Sequence, residues 1–264
     1  MLTHEAALRF GCFSAVFVVM ASWEFVASRR VRTQPRGKRW FLNLAIAALD
    51  SLCIRVLFPA AAVGIALVAE QRGWGLFNQV ELPRILAIVL SIVLLDLAIY
   101  VQHAMFHWIP VLWRLHMVHH SDQDFDLTTG IRFHPIEILL SILIKFAVVV
   151  ALGAPPEAVV IFAIVLNATS MFNHGNVRIP RAIDRWLRWA VVTPDMHRVH
   201  HSVEMDECNS NFGFNLPWWD RVFGTYRAQP RAGHLEMTIG VQQLQQPDPG
   251  GLLRLLTMPF TRAR

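Results

Sequence analysis

The sequence predicts an all-α protein: an integral membrane bundle of about four to six transmembrane or hairpin helices, with a histidine-rich metal-binding cap on the cytoplasmic side. Three observations predict it. Of 264 residues, 54% are hydrophobic and 16% charged, with mean hydropathy +0.40, whereas soluble domains carry about 25% charged residues. Five apolar segments approach the roughly 20 residues that a helical span requires. Ten of the twelve histidines fall between residues 103 and 201.

The first segment covers about residues 6–27, interrupted by Arg9 and Glu24. It has no basic leader before its apolar part and no clear small-residue cleavage site, so a retained helix is favoured over a signal peptide. The second region, 40–68, is long enough to span with tilt or to break near Asp50 and Arg55, and supplies one or two helices. The third, 85–101, has no proline, and Asp96 is its only charge. The fourth and fifth, 136–152 and 158–172, flank GAPPE, a breaker that makes them a helical hairpin. Each arm is short for a full span, so incomplete penetration is an option. After a late break at QQPDPGG, LLRLLTMPF is too short to cross and is expected to lie on the membrane surface or pack against the domain.

Net charge is +5, and Arg29, Arg30, Arg32, Arg36, Lys38 and Arg39 crowd into eleven residues. Between two apolar segments such a cluster reads as a cytoplasmic topology signal, and no nucleic-acid partner is expected. Placing it in the cytoplasm also places residues 103–135 there, and the hairpin returns the chain to the same side. Charge bias alone therefore gathers the histidines on one face. Cys12, Cys53 and Cys208 have neither disulfide-framework nor zinc-ribbon spacing and are taken as bystanders.

His103 and His107, at i and i+4, share one helix face. Asp96 lies about 20° off that face and is a candidate for orienting a ligand from behind. The phrase H-x-x-H-H occurs twice, as His116, His119, His120 and as His197, His200, His201. On a helix the three share one side, while the adjacent pair diverges by about 100° and can reach two different ions. Eight imidazoles exceed the three or four that one zinc site takes, so two metal ions are implied. Imidazole suits iron, zinc and copper alike. Bis-histidine haem ligation leaves most of the histidines unexplained, and a transporter would place its ligands at mid-membrane.

The text HAMFH at 103–107, HMVHH at 116–120 and HRVHH at 197–201, with SDQDFDLTTGIRFHPIE, FNHGNVRIP, TPDMHRVHHS and NFGFNLPWWDRVFGTY, resembles the fatty acid hydroxylase and sterol desaturase superfamily of membrane di-iron proteins. The resemblance runs from about residue 95 to 226. It implies that the eight box histidines and His174 bind two iron ions, with His134 a further ligand or a supporting group. Some relatives have a histidine four residues before His174; here it is Ser170, which leaves a tenth ligand open. Asn173 and Asn176 are candidates for holding His174, and Asp122 and Asp195 for supporting the boxes. Asp122, Asp124 and Asp126 lack the glycine and terminal glutamate of a calcium loop. Phe106, Trp108, Trp113, Phe133, Phe172, Trp218 and Trp219 either line a substrate tunnel or, the favoured reading, form interface belt and core.

The resemblance further implies O2-dependent hydroxylation of an unactivated C–H bond of a bilayer lipid. The alternatives are desaturation at the same site or, with zinc, a membrane hydrolase; zinc can also substitute for iron without being native. There is no Rossmann fingerprint, iron-sulfur cysteine set or haem domain, so a separate electron-donor protein is expected. The chain then divides into membrane helices and basic loop at 1–84, a catalytic section at 85–230 and a tail at 231–264.

Overall fold

The computed structural model describes residues 4–245 and 251–261. Within them the chain is all-helical, with no β-strand beyond two isolated bridges. The long helices are α1 (Glu5–Val26), α2 (Arg36–Leu57), α4 (Arg84–Trp108), α6 (Pro135–Leu152) and α7 (Pro156–Asn173), with a shorter α3 (Ala61–Arg72) after α2. Five stretches, α2 and α3 counting as one, are long and apolar enough to cross a membrane. The cap is built from α5 (Pro110–His120), α8 (Arg181–Leu187), α9 (Pro194–His200), α10 (Met205–Cys208), α11 (Trp218–Val222) and α12 (Gly233–Glu236), with α13 (Gly251–Thr257) in the tail.

Proline and glycine set the boundaries. The second apolar region breaks at Phe58–Pro59, past Asp50 and Arg55: Pro59 has no N–H for the α ladder, and the backbone is left-handed at Ala61 (φ 49°), the first residue of α3. Two helices result. Pro135 and Pro156 stand in the first turns of α6 and α7, where no N–H is missed, and Gly153 (φ 63°) closes α6 in the left-handed conformation. Each arm of the hairpin has 18 residues, about 27 Å. α4 continues past the apolar stretch through His107.

α7 packs against α1, α3 and α4, and α6 packs against α2, α3 and α4. Leu95, Val149, Val160 and Phe162 bury the main interface, while Met20, Leu127 and Met171 join α1 to α7. Glu24, the acid that interrupts the first apolar segment, is buried and accepts the N–H groups of Leu127 (2.8 Å) and Asn176 (2.9 Å). The tail packs on the domain: Leu255 and Met258 are buried with Ile46 and Val118. Most of its QQPDPGG break lies outside the described residues.

The basic loop is also a structural element. Arg29 binds Asp195 at 3.2 Å, Arg30 donates to the carbonyls of His234 and Met237, and Arg39 binds Asp122 and Asp126. Asp124 accepts the N–H groups of Thr33 (2.7 Å) and Gln34 (2.6 Å). The loop between α1 and α2 is thereby fastened to the histidine-bearing cap, and all three aspartates of the run are occupied as anchors. Arg55 is exposed, away from buried Asp50.

Candidate metal centre

Nine of the ten candidate histidines converge in two adjoining groups: His103, His107, His116, His120 and His200, and His119, His174, His197 and His201. Within each group one donor atom per residue lies within 4.8 Å of the others, and every member is buried. Each adjacent pair is divided between the groups. His116 and His120, one turn apart on α5, enter the first, while His119 turns to the second. At the end of α9, His197 and His201 enter the second and His200 the first. The divergence of about 100° between neighbours on a helix produces this split.

Six of the outer nitrogens are tied back. The Nδ1–H groups of His103, His200 and His174 donate to the carbonyls of Phe212, Ser210 and Ser170, each at 2.8 Å, and that of His119 to the Arg132 carbonyl at 3.2 Å. His116 Nδ1 meets the Glu137 carboxylate at 2.6 Å and His107 Nδ1 the Asn209 side-chain oxygen at 3.3 Å. Because a carbonyl only accepts, these bonds fix the proton on Nδ1 and leave an Nε2 lone pair facing inward. In the first group all five Nε2 atoms are buried without a hydrogen-bond partner.

The second group makes a sharper demand. His174 Nε2 lies 3.1 Å from the Nε2 atoms of both His119 and His197. With protons fixed on Nδ1 of His119 and His174, two lone pairs face each other there. Only a proton or a cation relieves that contact, and burial opposes the proton. It pushes His116 and His174 down to about 3, and His119, His120, His197, His200 and His201 well below the ordinary imidazole range. Neutral imidazoles with converging lone pairs are the donor set that a transition-metal ion takes, so the residues fit such an ion in each group.

His134 is a correction. Its Nδ1 accepts the Ile136 N–H at 3.1 Å as the N-cap of α6, and its Nε2 donates to the Leu256 carbonyl at 3.1 Å. Both nitrogens are engaged, so it caps a helix and ties the tail instead of joining the donors. His134→Ala is expected to retain all bound metal and to lower thermal stability by about 1 kcal/mol, measured by elemental analysis and a melting curve.

The hydrogen bonds of the five polar residues expected to support the boxes go to groups other than the box histidines. Asp96 accepts from the backbone of Asn215 and Leu216 and from Trp219 Nε1 (2.9 Å), and so fixes the segment that carries the Phe212 carbonyl. Asp122 binds Arg39, Asn43 and Thr129. Burial alone would raise its pKa, but Arg39, Arg132 and Thr129 hold it well below the usual carboxylate range. Asn173 donates to the Phe214 carbonyl (2.9 Å), Asn176 brackets the Arg30 backbone, and Asp195 binds Arg29 and Arg198. Ser170 donates to the Gly130 carbonyl at 2.5 Å while its own carbonyl holds His174.

Glu137 and Cys208 are contributors that the sequence reading passed over. Glu137 was visible as the first-turn acid of a mostly apolar helix just after His-Pro, but its meeting with His116 requires α5 and α6 to pack. Cys208 is no bystander: its sulfur lies 3.8 Å from His120 Nδ1 and 3.9 Å from His107 Nδ1, and burial pushes its thiol up to about 12. Glu137→Gln keeps an acceptor beside His116 Nδ1 but replaces the carboxyl group that meets it. Metal affinity is expected to fall about 10–100-fold in competition with a chelator.

Of the aromatics, Phe133 stacks on His119 (4.6 Å, 4°), Trp113 lies 4.9 Å from His107, and Phe106 is buried 5.9 Å from His116. Phe172 packs on Trp23 and Trp219 binds Asp96, while Trp108 and Trp218 are exposed. Phe125, Phe212 and Phe214 complete an apolar wall about the imidazoles.

The fold and site define a multi-pass membrane protein with two adjoining histidine groups able to hold metal ions. The chain belongs to the fatty acid hydroxylase family, within the fatty acid hydroxylase and sterol desaturase superfamily: the family model described as fatty acid hydroxylase matches residues 88–225, just over half of it. It is 32% identical over 181 residues to the ornithine lipid hydroxylase OlsE of Rhizobium tropici, covering 68% of this chain and 52% of that protein. It is 26% identical over 213 residues to the alkylglycerol monooxygenase of Xenopus tropicalis (80% and 46%) and 28% identical over 160 residues to the cholesterol 25-hydroxylase of Rattus norvegicus (59% and 52%). The chain thus spans about half the length of these relatives. No solved structure matches it significantly.

Proposed function

We propose that the protein is a membrane-bound, O2-dependent oxidoreductase that hydroxylates an unactivated C–H bond of a lipid, with one iron ion in each histidine group. The observation that carries this reading is the set of nine buried imidazoles with one donor atom each brought together, the outer nitrogens of six of them being held by protein groups. Three relatives named for ornithine lipid, alkylglycerol and cholesterol are all hydroxylases or monooxygenases of lipids, which favours hydroxylation over desaturation. Iron, when bound, supplies the reduction of dioxygen and the oxidising power that a C–H bond of this kind requires.

The chain's own residues do the rest. Carbonyls of Phe212, Ser210, Ser170 and Arg132 fix the tautomer and orientation of four imidazoles, and Glu137 orients the His116 ring through Nδ1. Phe125, Phe133, Phe212 and Phe214 exclude water and keep the imidazoles neutral. The substrate enters from the bilayer, and the electrons come from a separate donor protein. The six-cation loop, bound to the same cap, supports a cytoplasmic placement of the metal side.

Lipid mass spectrometry of cells with and without the chain tests the reading, with elemental analysis of gently purified protein. Hydroxylation adds one oxygen and desaturation removes two hydrogens; an unchanged lipid profile under aerobic expression refutes both. Zinc without any O2-dependent product would point to hydrolysis.

A further inference from the structure

The cap carries an apolar face that the metal centre does not use. Ile183, Trp186 and Trp189, in and just after α8, and Trp218, Val222 and Phe223, in and just after α11, are all exposed, with Trp186 and Val222 at 69%. The Trp218 Nε1–H donates to the Trp189 carbonyl at 2.7 Å, which joins the two elements. Arg221 lies over the Trp189 ring at 4.3 Å, and Arg185 over the Trp186 ring at 5.5 Å. A contiguous exposed apolar face of this kind marks a membrane or protein contact.

Its depth is fixed by α4. Near the start of that helix Arg84 is paired with Glu70 and Glu157, each at 2.5 Å, marking one polar boundary. From the other end, the segment after α10 runs down α4: Asn209 meets His107, the Phe212 carbonyl meets His103, Thr225 meets Tyr100, and Asn215, Leu216 and Trp219 meet Asp96. From His107 to Asp96 this descent is about 16 Å, and Asp96 lies only about 18 Å along the helix from Arg84. A hydrocarbon core is about 30 Å thick, so the level of Asp96 and Trp219 falls roughly 12 Å below the surface on the histidine side. Phe223 stacks on the buried Tyr100 ring at 5.3 Å, which seats the face against α4 itself.

We infer that the α8–α11 face is inserted into the leaflet on the histidine side, with lipid acyl chains as its occupant. The face lies against a membrane-length helix at a level within the hydrocarbon span, and its polar groups are those that suit this depth. Tryptophans present amphipathic rings, and arginines on long stems lie over them and reach toward headgroups. The histidine centre then lies at the edge of the acyl layer, and not in a cap raised above the membrane. The inference depends on neither the metals nor the reaction.

Nitroxide labels on Val222→Cys and Trp186→Cys test it, in protein with Cys12 and Cys53 changed to Ser and buried Cys208 kept. The protein is placed in phosphatidylcholine–phosphatidylglycerol vesicles. Val89→Cys on exposed α4 surface is the lipid reference, and Gln229→Cys on an exposed turn is the aqueous one. The ratio of O2 to water-soluble nickel-chelate collisions at both test sites is expected to follow Val89. A ratio like that of Gln229 would place the face in water, and shielding from both reagents would mean that protein covers it; either result overturns the inference. Two test sites guard against one variant failing to fold.

Discussion

His119→Ala is expected to abolish turnover and to lower bound metal from about two ions per chain towards about one. His119 Nε2 lies 3.1 Å from His174 Nε2, its Nδ1 is held by the Arg132 carbonyl, and its ring is stacked on Phe133. Alanine leaves three imidazoles in the second group and an apolar gap that no neighbouring nitrogen fills. The five histidines of the first group are untouched, so the loss is selective. Elemental analysis beside a lipid product assay reads both effects, and an unchanged melting profile would separate them from misfolding. Full metal content together with full turnover would show that the second group is not a metal site.

Arg39→Met is expected to destabilise the fold by about 3–5 kcal/mol, because it strands two buried carboxylates. Arg39 lies at 2.8 Å from both oxygens of Asp122 and 2.7 Å from Asp126, and all three side chains are buried. Thermal melting in one detergent reads the change. Arg84→Met, which breaks only exposed pairs with Glu70 and Glu157, serves as the comparison and is expected to change stability by no more than about 1 kcal/mol. The pH dependence has a definite sign. Asp122 is held below its ordinary value in the fold, so its contribution is complete above the unfolded carboxylate pKa of about 3.9 and fades as the pH falls towards the folded value. Between neutrality and about pH 5 this pair leaves the wild-type melt unchanged.

Local spacing made much of the centre legible. H-x-x-H-H on a helix already implies that its adjacent histidines diverge, and the structure divides His119 from His120 and His200 from His201. The apolar segments and GAPPE likewise read through to α1, α4, α6 and α7, because span length and proline chemistry are local properties. His134 misled because residue type suggests a donor, whereas two hydrogen bonds from elsewhere in the fold occupy both its nitrogens. The acids misled in a similar way: Asp96 and Asp122 have the chemistry of an orienting carboxylate, but they brace the loops that hold the histidines.

By itself the sequence determined a helical membrane protein with doubled histidine phrases and enough imidazoles for two ions, since these follow from composition and from angles within single helices. Only the tertiary structure decided which nitrogens face inward. The groups that hold most of them are backbone carbonyls, at Phe212, Ser210, Ser170 and Arg132, together with Glu137 on a neighbouring helix. Every residue carries a carbonyl, so no residue letter marks the ones that matter. Their selection arises where α4, α5, α6, α7 and α9 pack together, across separations that local spacing does not encode.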